Sequence, residues 1–181
     1  GDFVIGAVGR LHEQKGHEHL IEAMGLLAER TPEARAFIVG GGPLEAVLRA
    51  RVEELGLGER VRLVGYRRDV PRLMAAMDAF ALPSLWEGMP NALLEAMAMG
   101  LPAVATRVDG NVDLVVEGET GMLVDKGDAA GLAQELAALA ADRERARGMG
   151  VRGRERAVRE FSLDRTTDAY LDLYEELWRE K

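Results

Sequence analysis

The chain has 181 residues, 48% hydrophobic and 30% charged, which suits one globular domain, or a domain with a helical tail, built on a buried core. A formal net charge of -8 opposes general binding to nucleic acid or an anionic membrane, while leaving room for a local basic pocket around a small phosphate ligand. The absence of cysteine excludes disulfides, thiolate zinc sites and cysteine nucleophiles, and no apolar run reaches the roughly 18–20 residues of a membrane span.

In chain order, Phe3 to Val8 reads as a strand entered almost at once. The opening residues lack the basic and long apolar regions of a signal peptide, and a chain that begins so close to a core strand reads as a piece cut from something longer. Gly16 to Glu29 has helical spacing, with Leu20, Ala23, Met24 and Leu27 on one face. Ala36 to Val39 is a short apolar run closed by Gly40-Gly41-Gly42-Pro43. Leu44 to Leu55 is helical and stopped by Gly56. A strand at Val61 to Val64, a short helix at Val70 to Met77 and a strand at Ala79 to Leu82 follow. Asn91 to Met99 is a helix ended by Gly100 and Pro102, and Ala103 to Ala105 and Gly121 to Val124 are the last strands. From Ala129 onward the chain is helical. Gly148, Gly150 and Gly153 predict a bend, and the arginines between Arg143 and Arg159, interleaved with Glu, predict a solvated face. Apolar strands alternating with helices imply an α/β fold: a Rossmann-like parallel sheet flanked by helices, with a C-terminal helical tail. Such sheets bind ligands at the carboxyl ends of their strands.

Three turns in that position hold unusual residues. The first, Gly9-Arg10-Leu11-His12-Glu13-Gln14-Lys15-Gly16, places a planar guanidinium and a mobile ammonium after the first strand. They suit a diphosphate gaining charge as a bond breaks, or are plain surface cations at a helix start. The second, Gly40 to Pro43, either lets a ligand approach the backbone or simply turns the chain; neither a dinucleotide fingerprint nor a P-loop is present. The third, Trp86 to Glu95, puts Pro90 at a helix start, where the following amides form an anion site. Glu87 and Glu95, a helical turn inside, can face one cleft, and as acceptors they suit ligand hydroxyls. Trp86 either packs beside the site or plugs the core, the second being the favoured reading. His12, His17 and His19 read as solvated histidines at a helix entrance rather than metal ligands.

The run Pro83 to Ala98 resembles the E-x7-E segment of the GT4-type retaining glycosyltransferases, enzymes of the two-domain GT-B architecture. Val8-Gly9-Arg10-Leu11 with Lys15-Gly16 is similar to that family's phosphate-contacting turn. Gly41-Gly42-Pro43, Val64-Gly65-Tyr66, Gly100 to Thr106 and Glu117 to Val124 match in order, so the likeness runs from the start to about Val124. It implies one half of a GT-B fold: residues 1–160 as the nucleotide-sugar-binding domain, and 161–181 as a helix that would pack on an N-terminal acceptor domain not contained in the chain. It also implies sugar transfer with retention of configuration, no cofactor and no metal, from a UDP-, GDP- or ADP-sugar.

By the same resemblance Arg10, Lys15 and Glu87 are the catalytic set. Arg10 and Lys15 hold the diphosphate, with Gly9 and Gly42 close by, and Glu87 meets the transferred sugar. The segment Gly88, Met89, Pro90, Asn91, Ala92 and Leu93 supports sugar and phosphate through its amides, Glu95 binds the ribose, and Tyr66 and Arg67 meet the base. A cytoplasmic location follows, peripheral at the inner membrane face in the full-length form. The family's glycine pair and glutamate are replaced by Asp109-Gly110-Asn111-Val112-Asp113, in which Asn111 and Asp113 are expected to offer hydrogen bonds to a sugar. The last helix, with Tyr170, Tyr174 and Trp178, would be exposed in this chain or used for self-association. Two other readings remain at this stage: a non-catalytic or engineered nucleotide-binding module, and half of a nucleotide-sugar epimerase.

Overall fold

The computed structural model describes residues 1–179. The elements are β1 (Phe3–Val8), a single 3-10 turn (Glu13–Lys15), α1 (His17–Arg30), β2 (Ala34–Val39), α2 (Glu45–Glu54), β3 (Val61–Gly65), α3 (Val70–Met74), β4 (Ala79–Leu82), α4 (Asn91–Ala98), β5 (Ala103–Thr106), α5 (Asp109–Leu114), β6 (Gly121–Val124), α6 (Ala129–Ala141), α7 (Arg143–Phe161) and α8 (Leu163–Arg179). The six strands form one sheet in the order β3-β2-β1-β4-β5-β6, every neighbouring pair parallel. This is the expected doubly wound, Rossmann-like arrangement. The strand order reverses between β1 and β4, which opens a crevice at their carboxyl ends.

The period-two alternation of the strands divides the core into two layers. Phe3, Ile5 and Ala7 of β1, Ala79 and Ala81 of β4 and Val104 of β5 join Leu20, Met24, Leu132 and Leu136 on the face covered by α1 and α6. Phe80 and Leu82 of β4 and Ala103 and Ala105 of β5 join Leu93, Met97 and Leu114 on the face covered by α4 and α7. The central strands β4 and β5 are buried throughout, whereas the edge strand β3 alternates buried and exposed residues.

Two expectations fail and one element is added, each for a tertiary reason. The glycines of α7 mark no bend: the helix is continuous from Arg143 to Phe161. A Cβ at Gly150 would collide with the carbonyl of Gly100, so this glycine lets α7 lie close against the end of α4, while one at Gly153 would make only ordinary contact with Thr120. The arginines of α7 are only partly a solvated face. Arg145, Arg147 and Arg154 are exposed, but Arg143 donates to the carbonyls of Gly1 and Asp2 and lies over the Phe3 ring. Arg152 donates to Glu119 and Arg156 to Leu114 and Asp113, clamping the segment between α5 and β6. Finally α5, which has no amphipathic signature, forms at Asp109–Leu114 because Asn111 ties its first turn back to β5. The last helix, α8, follows α7 and has no buried residue, so its apolar stripe of Tyr170, Tyr174, Leu177 and Trp178 is open.

Candidate functional site

The turns after β1 and β4 meet at the crevice and are joined by backbone as well as side chains. Gly16 adopts a left-handed conformation (φ 56°) directly over the carbonyl of Pro83, where any side chain would collide. The amide of Leu85 donates to the carbonyl of Gln14 (2.8 Å), and the Gln14 side-chain amide donates to the carbonyl of Trp86 (3.1 Å). These contacts fix the only lysine of the first turn against the first glutamate of the second: Lys15 Nζ lies 2.5 Å from Glu87 Oε1, with the two side chains 18% and 5% exposed. A charge pair this far from water is held by geometry and further hydrogen bonds rather than by Coulomb attraction alone.

Those further bonds form a chain into the core. Ser84 Oγ donates to the same Glu87 oxygen (2.7 Å), Thr106 Oγ1 donates to the Ser84 carbonyl, and Asn111 Nδ2 donates to the Thr106 carbonyl (2.8 Å). Gly110 completes the support. Its amide donates to the Glu87 carbonyl, and a Cβ there would strike the Gly88 carbonyl. Ser84, Thr106, Asn111 and Gly110 are residues that sequence reasoning did not assign to this role. Only the three-residue spacing of Ser84 and Glu87 hinted at it. Asn111 was expected to face a sugar; it is fully buried and holds the turn instead. Asp113 is exposed on α5.

Two clefts flank this pair along the sheet edge. One, of about 390 Å³, lies over the ends of β1, β2 and β3, lined by Gly9, Arg10, Gly40, Gly41, Tyr66 and Arg67 among others. Arg10 is exposed, and Arg67 is oriented by a two-point pair with Asp69 (2.8 and 2.7 Å) that holds the Asp69 carboxyl below its usual range. Gly40 faces the Gly9 carbonyl and Gly42 the Leu11 backbone, each leaving no room for a Cβ, so the glycine run brings the two turns together; Gly42 itself stands outside the cleft lining. The second cleft, of about 440 Å³, lies over β4, β5 and β6 and includes Trp86, Glu87, Arg107 and Asp109.

The α4 start is only partly the open anion site expected. The amide of Asn91 donates to the Met89 carbonyl and that of Leu93 to the Pro90 carbonyl, and the Leu93 side chain is core. Gly88 and Met89 are exposed, Pro90 is buried and Ala92 half-buried. Glu95 is exposed on α4, one turn inside the helix, and lines neither cleft. Trp86, expected in the core, is 50% exposed, between the half-buried Leu85 and the buried Glu87.

The histidines separate. His12 caps the 3-10 turn by accepting from the Gln14 amide, and His19 lies between Glu18 and Glu22. His17 is not solvated: it is 2% exposed behind the Gly9–Arg10 turn. Burial, then the Lys15 charge, lowers its pKa to about 4, against an opposing pull from the Gly9 and Arg10 backbone. Neither ring nitrogen reaches hydrogen-bond geometry with a protein atom, so desolvation dominates and the ring is neutral at pH 7. Among the described residues no three His, Asp or Glu side chains converge as metal ligands, and no helix is long and apolar enough to cross a membrane.

This sheet, with cationic and acidic turns meeting at its switch point, has the architecture of one half of a GT-B fold. The sequence model of the family described as glycosyl transferases group 1 matches residues 2–142, and the chain belongs to that family. It is 36% identical over 170 residues to the lipopolysaccharide core biosynthesis glycosyltransferase LpsE of Rhizobium meliloti, covering 94% of this chain and 49% of that protein. It is 35% identical over 175 residues to the Escherichia coli UDP-Gal:alpha-D-GlcNAc-diphosphoundecaprenol alpha-1,3-galactosyltransferase, covering 95% and 45%. The crystal structure of Anabaena HepE in complex with UDP superimposes with a TM-score of 0.91 at 28% identity, over 97% of this chain and 49% of HepE. The chain thus spans about half the length of these relatives.

Proposed function

We propose that this chain is the donor-binding domain of a retaining glycosyltransferase that takes its sugar from a uridine diphospho-sugar without a bound metal. The observation that carries the reading is the Lys15–Glu87 pair at the switch point, with Arg10 exposed beside it. The uracil lies in the cleft over β1–β3 beside Tyr66 and Arg67, and the diphosphate over Gly9, Arg10 and Lys15. The two cations neutralise the charge that grows on the leaving phosphate, the work a metal does elsewhere. Glu87, held by Ser84, meets hydroxyls of the transferred sugar, the exposed amides of Gly88 and Met89 border it, and Glu95 receives the ribose hydroxyls. Uridine is favoured by the UDP bound in HepE and the UDP-galactose donor in the name of the E. coli relative. Retention of configuration is supported by the likeness of the Glu87–Glu95 segment to the retaining family. Transfer also needs an acceptor oriented at the same moment, so this chain alone transfers slowly or not at all.

Calorimetric titration with UDP, GDP and ADP tests the reading. UDP binds best, and Arg10→Ala combined with Lys15→Ala weakens it on the order of 100-fold, the loss of two charge-assisted contacts. No binding at millimolar UDP, or equal binding by the double variant, sinks the assignment.

A further inference from the structure

Arg10 and Lys15 stand on the same turn but differ in what holds them. Arg10 is exposed and has no ion pair among the described residues, whereas Lys15 Nζ is held by Glu87 Oε1 at 2.5 Å. Arg67, which lines the same cleft as Arg10, is likewise taken by Asp69. A diphosphate that uses both cations of the turn meets Arg10 unopposed, and has to draw Lys15 from a carboxylate already in place.

Of the two partners, Glu87 is the fixed one. The turns that carry them are locked by Gly16 against Pro83 and by the bond from Leu85 to Gln14, and the same Glu87 oxygen is anchored again by the fully buried Ser84 (2.7 Å). Lys15 is the mobile one. Its stem lies across Gly9, where a Cβ would meet Lys15 Cγ and Cδ at 3.3 Å, so rotation of the last side-chain torsions carries Nζ between Glu87 and the Gly9–Arg10 turn. A Glu87 that loses Lys15 keeps only the Ser84 hydroxyl while its side chain is 5% exposed, and a carboxylate so far from water is costly unless another donor reaches it. Hydroxyls of the transferred sugar are such donors, and a nucleoside diphosphate without the sugar brings none to Glu87.

We propose that Glu87 competes with the diphosphate for Lys15, and that sugar hydroxyls, by taking the place of Lys15 on Glu87, make the site select the loaded nucleotide-sugar over the spent nucleoside diphosphate. The proposal rests on the donor reading above and adds to it an order of preference between substrate and product. With the sugar present, Lys15 serves the diphosphate and Glu87 is satisfied by hydroxyls. Once the sugar has gone, Glu87 draws Lys15 back and the diphosphate is held by Arg10 with less help.

Calorimetry on the chain compares UDP with UDP-glucose, UDP-galactose and UDP-N-acetylglucosamine in wild type, Glu87→Gln, Lys15→Met and the double variant. Wild type binds at least one of these nucleotide-sugars more tightly than UDP. Glu87→Gln binds UDP about tenfold more tightly than wild type does, the difference between a charged and a neutral partner for Lys15, and the advantage of the nucleotide-sugar shrinks by a similar factor. In the Lys15→Met background the same substitution changes UDP affinity by less than about threefold, because no lysine is left to compete for. The competition is overturned if Glu87→Gln binds UDP no better than wild type, since Glu87 then places Lys15 for the phosphate. It is equally overturned if the gain persists with Lys15→Met, since it then reflects only the removal of one charge. Should Glu87→Gln lose its cooperative melt, wild type decides: with lysine labelled at Cε, the signal of Lys15, told from those of Lys126 and Lys181 by Lys15→Met, shifts when UDP binds. A Lys15 signal that stays in place at saturating UDP, or UDP bound as tightly as every nucleotide-sugar, overturns the competition. Failure of UDP to bind even at millimolar concentration strikes the donor reading, and this one with it; the contrary results obtained with UDP bound strike the competition alone.

Discussion

An imidazole buried without a partner at His17 makes acid stability a property of one residue. Its folded pKa of about 4 lies below the ordinary histidine value of 6.5, so as pH falls through 6.5 the unfolded chain takes up a proton that the folded chain refuses. Stability from this source is complete above pH 6.5 and is lost progressively down to about pH 4. The whole effect is on the order of 3 kcal/mol. Urea unfolding at pH 7.5 and pH 4.5 should show wild type losing about 2 kcal/mol more than His17→Leu over that interval. Equal losses in the two proteins mean that His17 is not the sensitive group. The same residue stands directly behind Arg10, so the neutral ring keeps a third positive charge away from the proposed diphosphate turn only until acid charges it.

Between elements, one close approach that glycine controls is that of α7 on the end of α4. Gly150 has no space for a methyl group because the Gly100 carbonyl occupies it, whereas Gly148 has only the flexible end of Arg152 nearby. Gly150→Ala should therefore destabilise by about 1–3 kcal/mol through overpacking. Gly148→Ala should stabilise by roughly 0.5–1 kcal/mol by raising helix propensity. For a chain of this size each kcal/mol moves Tm by about 2–4 °C, so thermal melts separate the two. If the glycines served a bend, both variants would move Tm in the same direction. The packing also has a functional side: α7 fixes α4, and α4 begins at the turn that carries Glu87.

Across the whole molecule, stability lies in the two layers around the sheet and not in the last helix. Every described residue of α8 is exposed, Trp178 at 80%. A chain ended after Ser162 should keep its Tm within about 2 °C, since removing surface groups rarely changes stability by more than about 0.5 kcal/mol. It should also scatter less light at high concentration, because the apolar stripe of Tyr170, Tyr174, Leu177 and Trp178 is gone. Loss of the cooperative melt in the shortened chain would show that α8 belongs to the folding unit.

The sequence by itself determined the alternation of strands and helices and the two turns that hold Arg10, Lys15 and Glu87. Those signals are local: apolar periodicity, a glycine or proline at an element's end, an unusual charge after a strand. Only the tertiary structure decided what those turns touch. That Lys15 meets Glu87 depends on β1 lying beside β4, a pairing between strands more than seventy residues apart that no local pattern encodes. The support from Ser84 through Thr106 to Asn111 depends likewise on β4 lying beside β5, and these residue types are too ordinary to announce it. For the same reason the sequence misplaced Trp86, Asn111 and His17. Whether a side chain is buried is set by the neighbours that the sheet order brings to it, and composition within a turn does not name those neighbours.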